Sequence, residues 1–251
     1  SLKRLFVTRL KLGIIGNETS RFDAISYSEN DSATNKQLNL KIAEKSMTLL
    51  KNNGILPLDK RNIKKIAVIG PNADSRAALQ GNYSGTASKY YTVLDGLRSY
   101  LGDDAEVLYA QGCHLFKDQV EGCAEQDDRS SEAAGIAELS DIVVLCLGLD
   151  ATIEGEQGDA FNGDGSGDKP SLKLPGLQDR LLKRILQTGK PVIVVNLTGS
   201  AVDLSFADQH ADAVVQAWYP GAQGGLAIAR LLFGEFSPAG RLPVTFYQSD
   251  D

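Results

Sequence analysis

Two glutamates, Glu154 and Glu156, carry the most chemically suggestive spacing in this chain, in the stretch GLDATIEGEQGD (148–159). Asp159 closes the stretch as its fourth carboxylate, after Asp150 and the two glutamates, and is a candidate substrate contact. A loop glutamate can give and then take back a proton if partial burial brings its pKa towards the working pH. In an extended segment, residues two apart point the same way, so local geometry does not say which of Glu154 and Glu156 would do so. Left in open solvent, the same side chains would be surface charge and nothing more. Their surroundings therefore decide.

Other residues with chemical potential lack complete sets of partners. Cys113-His114 with Cys123 has neither a C-x-x-C pair nor a fourth ligand, so no zinc site is expected. Cys113 and Cys123 could instead pair with each other, while Cys146 lies in an apolar run and reads as core. Asn162, Asp164, Ser166 and Asp168 alternate like part of a calcium loop, with Gly167 in sixth place. The twelfth position is Lys173 rather than a bidentate glutamate, so a substrate-side loop is the better reading and no metal is expected. His210 has no serine or cysteine nucleophile motif beside it. Gly70-Pro71-Asn72-Ala73 follows an apolar run, but G-x-G-x-x-G is missing and no cofactor is expected. The Gly-rich stretch LQGNYSGTASKYYT (79–92) offers Tyr83, Tyr90 and Tyr91 for stacking on a sugar, Tyr83 being the candidate substrate contact. Trp218 and Tyr219 end an apolar run and read as packing.

A loop that does chemistry needs a rigid frame. Ile142 to Leu147 is apolar throughout, the pattern of a strand buried on both faces, and Gly148 ends it just before the glutamates. Ile66–Ile69, Val192–Leu197 and Ala213–Trp218 repeat the pattern, and Glu106–Ala110 adds a further strand. Arg241–Phe246 reads as an edge strand, where Pro243 is tolerated. Helical spacing runs over Leu2–Leu12, Gln37–Lys51, Val93–Leu101, Ser130–Ser140, Leu177–Gln187 and Leu226–Phe233. In the second of these Leu40, Ala43, Met47 and Leu50 share a side, and Asn52-Asn53-Gly54 stops it. This alternation predicts an α/β fold: a doubly wound, mostly parallel sheet of about five or six strands with helices on both faces, an α/β sandwich. Right-handed crossovers would gather the loops after Ile69, Leu147, Leu197 and Trp218 on one edge, the edge where such sheets bind ligands. Thr198 and Tyr219 should then stand on the same side as the glutamates.

At 251 residues the chain can bury a sizeable core, and 42% hydrophobic with 23% charged residues is ordinary for a globular protein. The formal charge of -6, without any Lys/Arg cluster, argues against a nucleic-acid partner. No apolar run approaches the roughly 18 residues of a membrane span, so no membrane partner is expected. The basic, amphipathic N-terminus lacks the uninterrupted apolar core of a signal peptide. Asn17 to Asn35 is polar and linker-like, which divides the chain into 1–35, a helix and linker, and 36–251, the α/β domain.

Several long, ordered stretches resemble one family. GLDATIEGE (148–156) with KLPGLQ (173–178), LKNNGILPLD (50–59), AWYPGAQGG (217–225) and LFGEFSPAGRLPVTFY (232–247) are similar to the second, C-terminal domain of family 3 glycoside hydrolases. The similarity covers most of the chain from about Leu38 onward. It implies a retaining, exo-acting β-glycosidase for terminal β-glucosides or β-xylosides, with TIEGE, LPGLQ and AWYPG leaning towards the xylosidase side. It further implies that the nucleophilic aspartate stands on a preceding (β/α)8 barrel domain, which Leu2–Leu12 would close, so that residues 1–251 alone would be inactive. The partners implied are that barrel and the carbohydrate. Family members often carry a Gly-Glu pair in this loop, which matches Gly155-Glu156 and makes Glu156 the expected acid/base; the doubled E-x-E keeps Glu154 as the alternative. The competing function class is a non-catalytic carbohydrate-binding or structural domain descended from such an enzyme.

Overall fold

The apolar runs form the strands of one sheet. The computed structural model describes residues 1–16, 19–119, 122, 125, 127–155, 169 and 171–248. Its strands are β1 (Thr48–Asn52), β2 (Lys65–Ile69), β3 (Glu106–Ala110), β4 (Ile142–Gly148), β5 (Val192–Leu197) and β6 (Ala213–Gln216), in the order β1-β6-β5-β4-β2-β3. β2 through β6 are mutually parallel, and β1 alone runs antiparallel, along β6. The expected doubly wound α/β sandwich is thus present. Its chain order reverses between β2 and β4, because β3 lies outside β2 while β4 lies inside it. Open α/β sheets hold their ligands at such a reversal, beyond the carboxyl ends of the strands.

Alternation along the strands builds two cores. From β4, Val144 and Cys146 face one side with Ile66, Val68, Ile193, Val195 and Val215. Val143, Leu145 and Leu147 face the other with Ala67, Ile69, Val192, Val194 and Val214. Helices α3 (Val93–Leu101) and α7 (Gly224–Leu232) cover the first side through Leu94, Leu97, Ile228 and Leu232. Helices α4 (Asp128–Glu138), α5 (Gln178–Leu186) and α6 (Ser205–His210) cover the second through Ala133, Ala137, Leu181, Leu182, Ile185 and Ala207. Fully burying one such aliphatic side chain stabilises the fold by about 1.5–3 kcal/mol, so apolar residues on both faces explain why β4 and β5 are buried from end to end. Cys113 and Cys146 are free thiols in these cores, and burial pushes the Cys113 thiol up to about 12. Cys123 lies outside the described residues.

Two elements differ from expectation. The helix expected over Gln37–Lys51 is α2 (Ala33–Ser46), and Thr48–Asn52 is β1 instead. Apolar spacing through Leu50 fits a helix locally, but β6 would then be left as an open edge, and pairing with β1 covers its backbone. Arg241–Phe246 is not a strand: Pro243 removes a ladder donor, and the segment joins neither edge strand, β1 or β3. That segment docks through Gly240, whose N–H donates to Met47 O at 2.9 Å, and through Phe246, edge-on to Trp218.

The chain divides into two compact units, Ser1–Leu38 and Asn39–Asp251, with α2 running through the division. The first holds α1 (Leu2–Lys11), none of whose residues is buried, and a 3-10 turn at Tyr27–Glu29. Among the described residues no helix is long and apolar enough to cross a membrane.

Gln178 closes the end of β4. Its side-chain nitrogen donates to Gly148 O and Leu115 O, both at 2.8 Å, and its oxygen accepts from Gly148 N at 2.8 Å. At φ 136° Gly148 is in a conformation open to glycine, and a Cβ there would lie 2.1 Å from Leu197 O. The strand therefore ends in one defined geometry with its backbone satisfied. Gln178→Leu should leave these buried groups unpaired and cost about 1–3 kcal/mol in urea denaturation. A change within about 0.5 kcal/mol, typical of an inert surface site, would contradict that role.

Candidate active site

The loop leaving β4 turns back on itself within a few residues. Asp150 O accepts from Ile153 N at 3.1 Å and Glu154 N at 3.0 Å, and Asp150 Oδ1 accepts from Thr152 N at 2.9 Å. Ile153 is buried in the second core, which pins the turn from below. Leu149 extends the strand pairing by donating to Leu197 O at 2.8 Å, and its own carbonyl accepts from Asn72 Nδ2 at 2.8 Å. Asn72 thus ties the loop after β2 to the loop after β4, across the sheet's reversal point.

At the outer end of the turn, Glu154 is held from three directions. Its Oε2 accepts a hydrogen bond from the Tyr219 hydroxyl and another from Gly199 N at 3.0 Å. Its backbone carbonyl accepts from Asn82 Nδ2 at 3.2 Å. These residues come from the loops after β6, β5 and β2, so the expected gathering on one edge is observed for Glu154, Gly199 and Tyr219. Burial, then the charge and hydrogen bond of the neighbouring Glu154 carboxylate, push the Tyr219 phenol well above its ordinary value. Tyr219 is accordingly a donor at any working pH. There is no room for a side chain at Gly199, where a Cβ would sit 2.7 Å from the Tyr219 ring and 3.1 Å from Glu154 Oε2.

A buried polar cluster supports this arrangement. Asn196 on β5 and Gln216 on β6 are fully buried and joined side chain to side chain, Asn196 Nδ2 donating to Gln216 Oε1. Gln216 Nε2 donates to Thr198 O and Oγ1, both at 3.0 Å, and Thr198 Oγ1 donates to Ser200 O at 2.8 Å. Residues 198–200 are therefore fixed on both sides of Gly199. Asn196 Oδ1 and Ser200 Oγ have no partner among the described residues, so the cluster constrains geometry without being fully satisfied.

The other sequence candidates take varied places. Glu156, Asp159 and the alternating series Asn162–Asp168 lie outside the described residues. Tyr83 is 84% exposed and follows Asn82, on the loop that reaches Glu154. Tyr90 is engaged within its own loop, its hydroxyl oxygen accepting from Ala87 N and Gln80 Nε2 at 2.9 Å. His114 accepts two backbone N–H groups at Nδ1, and His210 stacks on Phe206 at the end of α6. Trp218 packs as expected, donating from Nε1 to Ser46 O at 3.0 Å. Tyr219, read from sequence as packing, instead reaches the acidic loop; the available signal was its position immediately beyond β6, on the ligand edge. Among the described residues, no group of three or more His, Cys, Asp or Glu could hold a metal ion.

Residues 47–251 match the sequence model of the glycosyl hydrolase family 3 C-terminal domain. The chain belongs to that family. Among its relatives, a probable β-D-xylosidase 7 of Arabidopsis thaliana is 38% identical over 98% of this chain and 30% of its own length. A β-xylosidase of Formosa agariphila is 34% identical over 97% of this chain and 32% of its own. A periplasmic β-glucosidase of Salmonella typhimurium is 35% identical over 83% and 28%. In structure, the family 3 domain is similar to part of a GH3 exo-β-xylosidase solved with a xylobiose aziridine probe, at a TM-score of 0.80 and 30% identity. That likeness covers 95% of this chain and 29% of the other. The chain thus spans about a third or less of the length of these relatives.

The state of Tyr219 can be read directly. With its pKa raised in the folded state, its contribution to stability is complete below the unfolded tyrosine value of about 10 and is lost as the pH climbs above it. Alkaline absorbance titrations of the wild type and Tyr219→Phe should therefore coincide up to about pH 11, since Tyr219 adds no phenolate there. A wild-type excess of one phenolate near about pH 10 would contradict the half-buried pair with Glu154.

Proposed function

We propose that this domain supplies the acid/base, Glu156, of a retaining, exo-acting β-glycosidase for terminal β-xylosides or β-glucosides. The nucleophilic aspartate would come from a barrel domain of the full-length protein, and the carbohydrate would bind between the two. Family membership and the β-xylosidase and β-glucosidase names of the relatives support the reaction class. The observation that carries the choice of residue is the engagement of Glu154. Its Oε2 accepts both the Tyr219 O–H and the Gly199 N–H, so that oxygen is committed as an acceptor and serves as an anchor. The next glutamate along the loop, Glu156, is left for proton transfer, as the Gly155-Glu156 pair implies by resemblance.

Retaining glycosidases hold their two carboxyl groups about 5–5.5 Å apart. The acid protonates the departing oxygen as the nucleophile takes the sugar, and the resulting carboxylate then draws a proton from water to release it. Each turnover returns the acid/base to its starting state, so no cofactor is needed for the balance.

In the full-length protein, Glu156→Ala should slow hydrolysis of alkyl and sugar glycosides by about 10²–10⁴-fold. Activated aryl glycosides should suffer less in the first step, because their leaving group needs little protonation. The glycosyl-enzyme should then accumulate, and azide should restore turnover as a glycosyl azide, since an anionic nucleophile needs no base. Glu154→Ala should lose activity without azide rescue. Rescue of the Glu154 variant instead would move the role two residues, and no loss in either would favour a non-catalytic carbohydrate-binding domain.

A further inference from the structure

Tyr219 stands out among the groups that the proposed chemistry does not use. It is a half-buried phenol at the ligand edge, and its hydroxyl is spent on Glu154, a carboxylate other than the proposed acid. The backbone before it is unusual. Trp218 has φ 61°, a left-handed conformation that costs a non-glycine residue roughly 1–3 kcal/mol and persists only where its surroundings enforce it. Here they do: Ala217 N donates to Asn196 O at 2.8 Å, Trp218 Nε1 donates to Ser46 O at 3.0 Å, and the indole meets Phe246 edge-on. The strained turn throws the Tyr219 ring across the loop after β5, against the space left by Gly81 and Gly199. A tyrosine held there only as filler would not need its hydroxyl aimed at Glu154.

We infer that Tyr219 is a positioning residue which, through Glu154, sets the exit of the β4 loop at Gly155 and so the aim of the acid/base that follows. The inference rests on the Glu156 reading. Gly155 itself is closely confined, since a Cβ there would lie 2.6 Å from Asn82 Nδ2. Tyr219 and Gly199 grip the Glu154 side chain while Asn82 grips its carbonyl, so the turn is held through both side chain and backbone just before Gly155. A proton donor must meet the leaving oxygen at hydrogen-bond distance, and a misplacement of about 1 Å can cost about 100-fold.

The test uses the full-length protein with Tyr219→Phe, which removes one oxygen and keeps the ring, and Gly199→Ala, which crowds the same contact from the other side. Both should lower kcat/KM for sugar or alkyl glycosides by about 10- to 100-fold. Activated aryl glycosides should be spared at least tenfold of that loss, with amide exchange over residues 149–155 accelerated. Glu154→Gln keeps an acceptor oxygen and should retain about tenfold more activity on poor leaving groups than Glu154→Ala, whereas a missing proton donor would not be rescued by an amide. Combining Tyr219→Phe with Glu154→Ala should add little beyond the worse single variant, because both break one contact. Equal losses on all leaving groups, or unchanged loop exchange, would overturn the inference while Glu156→Ala still shows its leaving-group dependence. If Glu156→Ala lacks that dependence, the functional reading fails first and the positioning role falls with it.

Discussion

Two hydrogen bonds to a single oxygen, Glu154 Oε2, join what the sheet only brings near. The Tyr219 hydroxyl arrives from the loop after β6 and the Gly199 N–H from the loop after β5, while the glutamate itself stands on the loop after β4. Parallel strands put their carboxyl ends on one edge, but the loops beyond them are free to diverge unless something crosses between them. A charged acceptor shared by a hydroxyl and an amide is well suited to that task, since hydrogen bonds to an ionised group are roughly twice as strong as neutral ones. The result is a rigid shoulder on which a catalytic group can be carried.

The cost of building that shoulder is met inside the sheet. Asn196 and Gln216 place amides in strands that are otherwise apolar, and a buried amide without partners is expensive. Here the amides bond to each other and to Thr198, which constrains residues 198–200, while Asn196 Oδ1 has no partner among the described residues. Gln178 does the same for the end of β4 from the same side of the sheet. Buried amides therefore hold the ends of β4, β5 and β6 from one face of the sheet, with apolar layers around them.

Much of this was legible in the sequence, for identifiable reasons. Val192–Leu197 and Ile142–Leu147 announce strands buried on both faces because nothing else in a small domain needs six consecutive apolar or near-apolar positions. Thr48–Asn52 was hidden because Ala43, Met47 and Leu50 satisfy helical spacing, and only the unpaired edge of β6, a tertiary fact, makes that segment a strand. The edge strand expected over Arg241–Phe246 is absent because Pro243 lacks a ladder donor and the segment docks on Met47 and Trp218 instead. The acidic loop was visible from its carboxylates and its place after β4. The anchoring of Glu154 was not, because Gly199 and Tyr219 lie 45 and 65 residues away and nothing local marks them as its partners.

If an anchored Glu154 presents Glu156 to the glycosidic bond, both positions must hold when a sugar is in place. The most direct measurement is a crystal structure of the full-length protein with a sugar trapped on its nucleophile by a mechanism-based inhibitor. The Glu156 carboxyl should then lie about 5–5.5 Å from the nucleophilic carboxylate, with Glu154 still bonded to Tyr219 and Gly199. A structure in which Glu154 has left Tyr219 and itself faces the sugar, or in which neither glutamate comes within about 9.5 Å of the nucleophile, would contradict it.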